Sequence, residues 1–78
     1  MRKLINVGYG NCINSFEVVA IINAESVPAK RAIKDAKESK TLIDATEGNK
    51  TCAALIMKSG HVVISSNKAE TLKSRINE

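Results

Sequence analysis

The 78-residue chain predicts an α+β domain, a small antiparallel or mixed sheet with two helices in the order β-β-α-β-β-β-α. Three observations carry this prediction. Short β-rich runs recur between turn clusters of Gly, Asn and Ser. The segment from Ser26 to Lys40 switches to helical periodicity. The final segment opens on a polar cap and places Ala69, Leu72 and Ile76 on one helical face. No repeat, linker or low-complexity stretch divides the chain, so the reading is one domain over residues 1–78.

Residues 3–7 form the first strand, which stops at the turn cluster Gly8-Tyr9-Gly10-Asn11; Cys12 to Phe16 continue in extended form. Glu17 to Ala24 is continuously apolar between polar ends, the pattern of a strand covered on both faces. Ser26-Val27-Pro28 opens the first helix. Ser26 suits the N-cap, and Pro28 is tolerated in the first turn, where its missing N–H would have no helical partner. Ala29, Ala32, Ile33 and Ala36 follow the i, i+3, i+4, i+7 stripe, while Lys30, Arg31, Lys34 and Lys37 project elsewhere. The small residues of the stripe bring the helix close to whatever it covers, and Lys40-Thr41 ends it.

Leu42 to Thr46 reads as a short strand and Glu47-Gly48-Asn49-Lys50 as a turn. Thr51 to Lys58 and His61 to Ser65 are strands joined by a tight Ser59-Gly60 connection. Asn67 and Glu70 have capping-box spacing at the start of the last helix. The strands at 18–22, 53–57 and 62–64 are apolar on both alternating faces, more than two short helices can cover. The surplus predicts contact with further copies of the chain.

Composition narrows the function. Twelve Lys and Arg against eight Asp and Glu leave a formal charge of +4, which favours a polyanionic partner. Tyr9 and Phe16 are the only aromatic residues, too few for the stacking platforms of single-strand binders, so contact with a duplex backbone is the better nucleic-acid reading. The lysine face of the first helix and Lys50 are weak singly, but repetition around an assembly makes them polyvalent.

Catalytic signatures are sparse. His61 is the single histidine and has no carboxylate at metal-ligand spacing, so it reads as a turn residue. Asp44 reads as the acceptor for backbone N–H groups of the turn that follows it. Gly8-Tyr9-Gly10 lacks the third glycine and the following helix of a dinucleotide fingerprint. Cys12 and Cys52 read as ordinary buried small residues of a reducing compartment. The start of the chain, Met1-Arg2-Lys3, carries the charge of a signal peptide, but no apolar region develops, and no run approaches the ~18 residues of a membrane span. The expectation is a cytoplasmic binding protein, not an enzyme, without cofactor, metal, membrane or small-molecule substrate.

Several stretches together carry a resemblance: Leu4-Ile5-Asn6-Val7-Gly8-Tyr9-Gly10-Asn11, Pro28-Ala29-Lys30-Arg31, Leu42-Ile43-Asp44-Ala45-Thr46, Ile56-Met57, His61-Val62-Val63-Ile64-Ser65, and Glu70-Thr71 with Arg75. The chain resembles the RemA family of bacterial regulators of extracellular-matrix genes almost from end to end. The resemblance implies a subunit that assembles into a closed ring, binds duplex DNA through basic residues arrayed around it, and activates transcription of biofilm-matrix operons. It also implies DNA contact from an arginine just before the second main strand and from an arginine pair in the turn after Asp-Ala-Thr. Those positions hold Glu17, Asn49 and Lys50 here, and a further basic position holds Cys52. The candidate DNA-binding residues are therefore Lys50, Lys30, Arg31, Asn49 and Lys34. A second reading is a ring-forming scaffold or protein-interaction subunit that has lost DNA binding, because Glu17 and Asn49 stand where arginines are expected.

Overall fold

Alternation along Leu4–Gly8 (β1) buries Ile5 and Val7 and leaves Leu4 and Asn6 exposed. A computed structural model describes residues 4–77; Lys3, with which this strand was expected to begin, lies outside them. β1 pairs antiparallel with Asn11–Asn14 (β2), with a register shift between Asn6 and Gly8. Asn14 ends the hairpin because its Oδ1 accepts from the N–H of Phe16 at 3.0 Å and opens a 3-10 turn over Ser15–Glu17. The following apolar strand therefore starts at Val18, not Glu17, and runs over Val18–Asn23 (β3).

The first helix, Val27–Ser39 (α1), starts as its sequence dictates: Ser26 Oγ accepts from the N–H of Ala29 at 3.3 Å, with Pro28 in the first turn. It stops where Lys40 turns left-handed (φ 61°) and the N–H groups of Lys40 and Thr41 return to the Lys37 and Ala36 carbonyls. After α1, Leu42–Asp44 (β4), Ala53–Met57 (β5), Val62–Ser65 (β6) and Ala69–Ile76 (α2) follow in the predicted order, each strand trimmed at its ends, while the extended run before β3 forms a strand of its own, β2.

β3, β5, β6 and β4 form one mixed sheet in that order, antiparallel except for the parallel pair β4 and β6. Alternation sorts its side chains into two layers. Ala54, Val62 and Ile64 face Ala29 and Ala36 of α1, the close approach that the alanine stripe predicts. Ala53, Leu55 and Val63 face Val7 of β1 and Leu72 of α2. Complete burial of Leu55 and Leu72 stabilises the fold by roughly 1.5–3 kcal/mol each.

Both faces are thus covered within one chain, the second by the β1–β2 hairpin together with α2. The apolar surplus is smaller than two helices alone would leave. What remains exposed includes Val19 and Ile43, one on each edge strand, and Leu4, Phe16 and Val27.

Two local expectations are corrected. Asn67 does not cap α2: Lys68 occupies the N-cap without a side-chain bond, and Asn67 Oδ1 instead accepts from Arg75 Nη1 at 3.1 Å. Cys12 lies exposed on β2 and Cys52 is half-buried, both as free thiols, and neither belongs to either layer of the core.

Candidate functional site

Strand register gathers four connections at one end of the sheet. Asn23 pairs with Ala53, Ala53 with Ser65, and Asp44 with Ile64, so the β3–α1, β4–β5 and β6–α2 connections emerge together. The β1–β2 turn joins them. Ser65 Oγ donates to the Val7 carbonyl, and a Cβ on Gly8 would meet Asn67 Oδ1 at 3.4 Å and the Ala45 carbonyl oxygen at 3.5 Å. With φ +120° as well, only glycine suits this position.

The 45–50 connection is built from its own polar groups. Asp44 Oδ1 accepts from the Thr46 N–H at 2.8 Å and from Thr46 Oγ1 at 2.6 Å, as expected of a carboxylate that ends a strand. The Thr46 hydroxyl, then the Thr46 N–H and the nearby Lys37 charge, hold the Asp44 carboxyl below its ordinary range against the opposing effect of burial. Glu47 and Gly48 turn through positive φ, 51° and 81°, and the Asn49 N–H closes the loop onto the Thr46 carbonyl at 2.9 Å. The Asn49 side chain then donates from Nδ2 twice, to the Thr46 carbonyl at 3.0 Å and to the Tyr9 hydroxyl across the gap to the β1–β2 turn. Lys50 follows directly and is exposed.

Lys50 overlooks an open cleft of about 340 Å³ whose walls include Glu25, Cys52, Lys68 and Glu70. Two ammonium groups and two carboxylates share it, so it is not a uniformly cationic pocket. Neither His61 nor Asp44 lines this cleft. His61 lies in the β5–β6 turn at the far end, its Nδ1 2.7 Å from Ser59 Oγ, and β6 separates it from the Asp44 end. Among the described residues no group of three or more His, Cys, Asp or Glu could hold a metal ion, and no helix is long and apolar enough to cross a membrane.

The family model described as RemA-like, extracellular matrix regulatory protein A-like, matches residues 4–76. The chain belongs to the RemA-like family. A Geobacillus kaustophilus relative is 46% identical over 76 residues, 97% of this chain and 87% of its own length. A Dictyoglomus turgidum relative is 51% identical over 74 residues, 95% of this chain and 87% of its own. A Bacillus cytotoxicus relative is 43% identical over 75 residues, 96% and 86%. Each bears a name that designates it, by inference, a regulatory protein, and none of the three names is that of an enzyme.

In this RemA-like protein the candidate residues divide into separate groups. Lys50 and Asn49 sit together on the 47–50 turn, and Lys30 lies in the first turn of α1, at the helix end reached through the β3–α1 connection, where the Ala24 N–H donates to the Cys52 carbonyl. Lys34 lies ~6 Å further along the axis. Helical spacing puts Lys30, Lys34 and Lys37 on one stripe, with Arg31 about 100° away around the helix. All four are exposed. Glu17 lies at the opposite end, where its carbonyl accepts from the Lys58 N–H at 2.7 Å, so the length of β5, ~17 Å, separates it from the 49–50 turn. Sequence reasoning did not identify Lys68, hidden inside an apparent capping box, or Tyr9, whose partner lies 40 residues away.

Proposed function

We propose that the protein is a cytoplasmic, ring-forming homo-oligomeric regulator that binds duplex DNA by neutralising phosphates and controls extracellular-matrix genes. The observation that carries this reading is an exposed Lys50 on a turn pinned by its own hydrogen bonds, in a chain that matches the RemA-like family from residue 4 to 76. Phosphate contacts position a protein on DNA without reading bases, and a fixed loop bearing a lysine suits that role. Lys30, Arg31 and Lys34 add positive surface, and Asn49 orders the turn. One subunit offers few contacts, so affinity comes from repetition around the ring. The exposed apolar side chains of the two sheet edges, Val19 and Ile43, suit contacts between neighbouring copies. A gel shift on duplex DNA beside a native mass measurement tests binding and assembly together. A multimer whose binding Lys50→Glu abolishes is expected; a monomer, or a multimer that ignores DNA, would refute the reading.

A second reading, a scaffold that keeps the ring and has lost DNA binding, is favoured by Glu17, which carries negative charge where the family resemblance implies arginine. Glu17→Arg with Asn49→Arg should then create DNA binding in a protein that otherwise shows none.

A further inference from the structure

Asn49 is a poor group for meeting DNA by its amide protons. Both hydrogen bonds of Nδ2 run inward, to the Thr46 carbonyl and to the Tyr9 hydroxyl oxygen. The reverse amide orientation would set Oδ1 against a carbonyl, so the assignment is fixed by the acceptor at Thr46. An amide nitrogen carries two protons and both are engaged. Tyr9 is in the opposite condition. Its oxygen accepts from Asn49, which orients the phenol and leaves its own O–H with no acceptor among the described residues. The side chain is 59% exposed and stands beside the turn that carries Lys50.

The backbone at Tyr9 is left-handed, as it is at Lys40 and Glu47. Tyr9 adopts φ 54°, between Gly8 at 120° and Gly10 at 79°. Glycine takes left-handed geometry without steric cost, whereas a residue with a Cβ does not. A tyrosine is nevertheless held there, and its exposure means that core packing offers little compensation.

We propose that the Tyr9 O–H is an uncharged phosphate contact of the same surface as Lys50, oriented by Asn49. This rests on the duplex-DNA reading above. Phosphate oxygens accept from tyrosine hydroxyls as well as from cations, but a neutral donor displaces no condensed counterion. The two kinds of contact therefore leave different marks on salt dependence.

Tyr9→Phe removes the donor together with the oxygen that accepts from Asn49, and keeps the ring. Fluorescence anisotropy of a labelled duplex, titrated with the full-length protein at several salt concentrations, reads the effect. The variant is expected to bind about threefold to tenfold more weakly for each contact removed, the range for one hydrogen bond, on a log K against log salt line parallel to that of the unaltered protein. Lys50→Gln should instead flatten the line by about 0.9 for each contact removed. Asn49→Ala should weaken binding as Tyr9→Phe does, and the double variant should add little, because the two groups act as one unit. Unchanged affinity in Tyr9→Phe, or a flattened slope, would overturn the contact. So would an altered native mass, which would make Tyr9 part of a subunit interface. No binding by the unaltered protein would overturn the DNA reading itself, and this contact with it.

Discussion

Arg75 Nη1, on the last helix, donates to the main-chain carbonyl of Asn6 on the first strand at 2.7 Å. The same nitrogen reaches Asn67 Oδ1 at 3.1 Å, so one guanidinium ties α2 to β1 and to the connection that precedes α2. Arg75→Ala should lower stability by about 1–2 kcal/mol, within the range for hydrogen bonds from a charged donor that is only partly buried. Arg75→Lys should recover little, since an ammonium on a shorter reach does not reproduce the guanidinium fork. Urea denaturation of both variants measures the difference.

The core layer beneath the β1–β2 hairpin gives a larger effect. Leu55 and Leu72 are fully buried in it. Leu72→Ala should cost about 2–5 kcal/mol through lost burial and the cavity left behind. Domains of this size hold little more than that in reserve, so circular dichroism should show substantial unfolding near room temperature.

On the other face, α1 approaches the sheet through alanines, with Ala29 showing no exposed surface. Ala29→Leu should force the helix outward and destabilise the domain by about 1–3 kcal/mol. Thermal melting should detect the change, and an unchanged midpoint would contradict the close packing described.

Asp44 supplies a pH dependence of known sign. Its carboxyl titrates below the ordinary value of 3.8, chiefly through the Thr46 hydroxyl and then the Thr46 N–H. A depressed folded-state value means the contribution is present above the unfolded-state value and is lost as pH falls through the folded one. Stability should therefore drop at acid pH below about 4 in the unaltered protein, and part of that drop should be missing in Asp44→Asn. Urea midpoints at about pH 6 and pH 3 would show it; identical acid losses in both proteins would contradict the assignment.

Much of this was legible in the residues. Ser26, Pro28 and the alanine stripe locate α1 and its buried face, and the two-faced apolar strands locate the central sheet. The hairpin on the second face of that sheet was less legible, because Cys12 to Phe16 reads only as a continued extended run and Asn11–Asn14, mostly exposed, has no apolar alternation to mark it as a separate strand. The cap assigned to Asn67 failed because Arg75, eight residues later, takes the same oxygen. Local spacing cannot anticipate such competition. The candidate site shows the same division: Lys50 and the helix cations are visible as charges, while the Tyr9–Asn49 bond spans 40 residues and exists only after the sheet has brought two turns together. The exposure of Cys12 is likewise a consequence of which face of β2 looks outward.

The central claim is that repeated Lys50 contacts hold duplex phosphates, and the salt dependence of DNA affinity tests it most directly. Measured by anisotropy for the unaltered protein and Lys50→Glu, log K should fall linearly with log salt at about 0.9 per phosphate neutralised, and Lys50→Glu should abolish binding. Affinity indifferent to salt, or equal in the two proteins, would contradict the account.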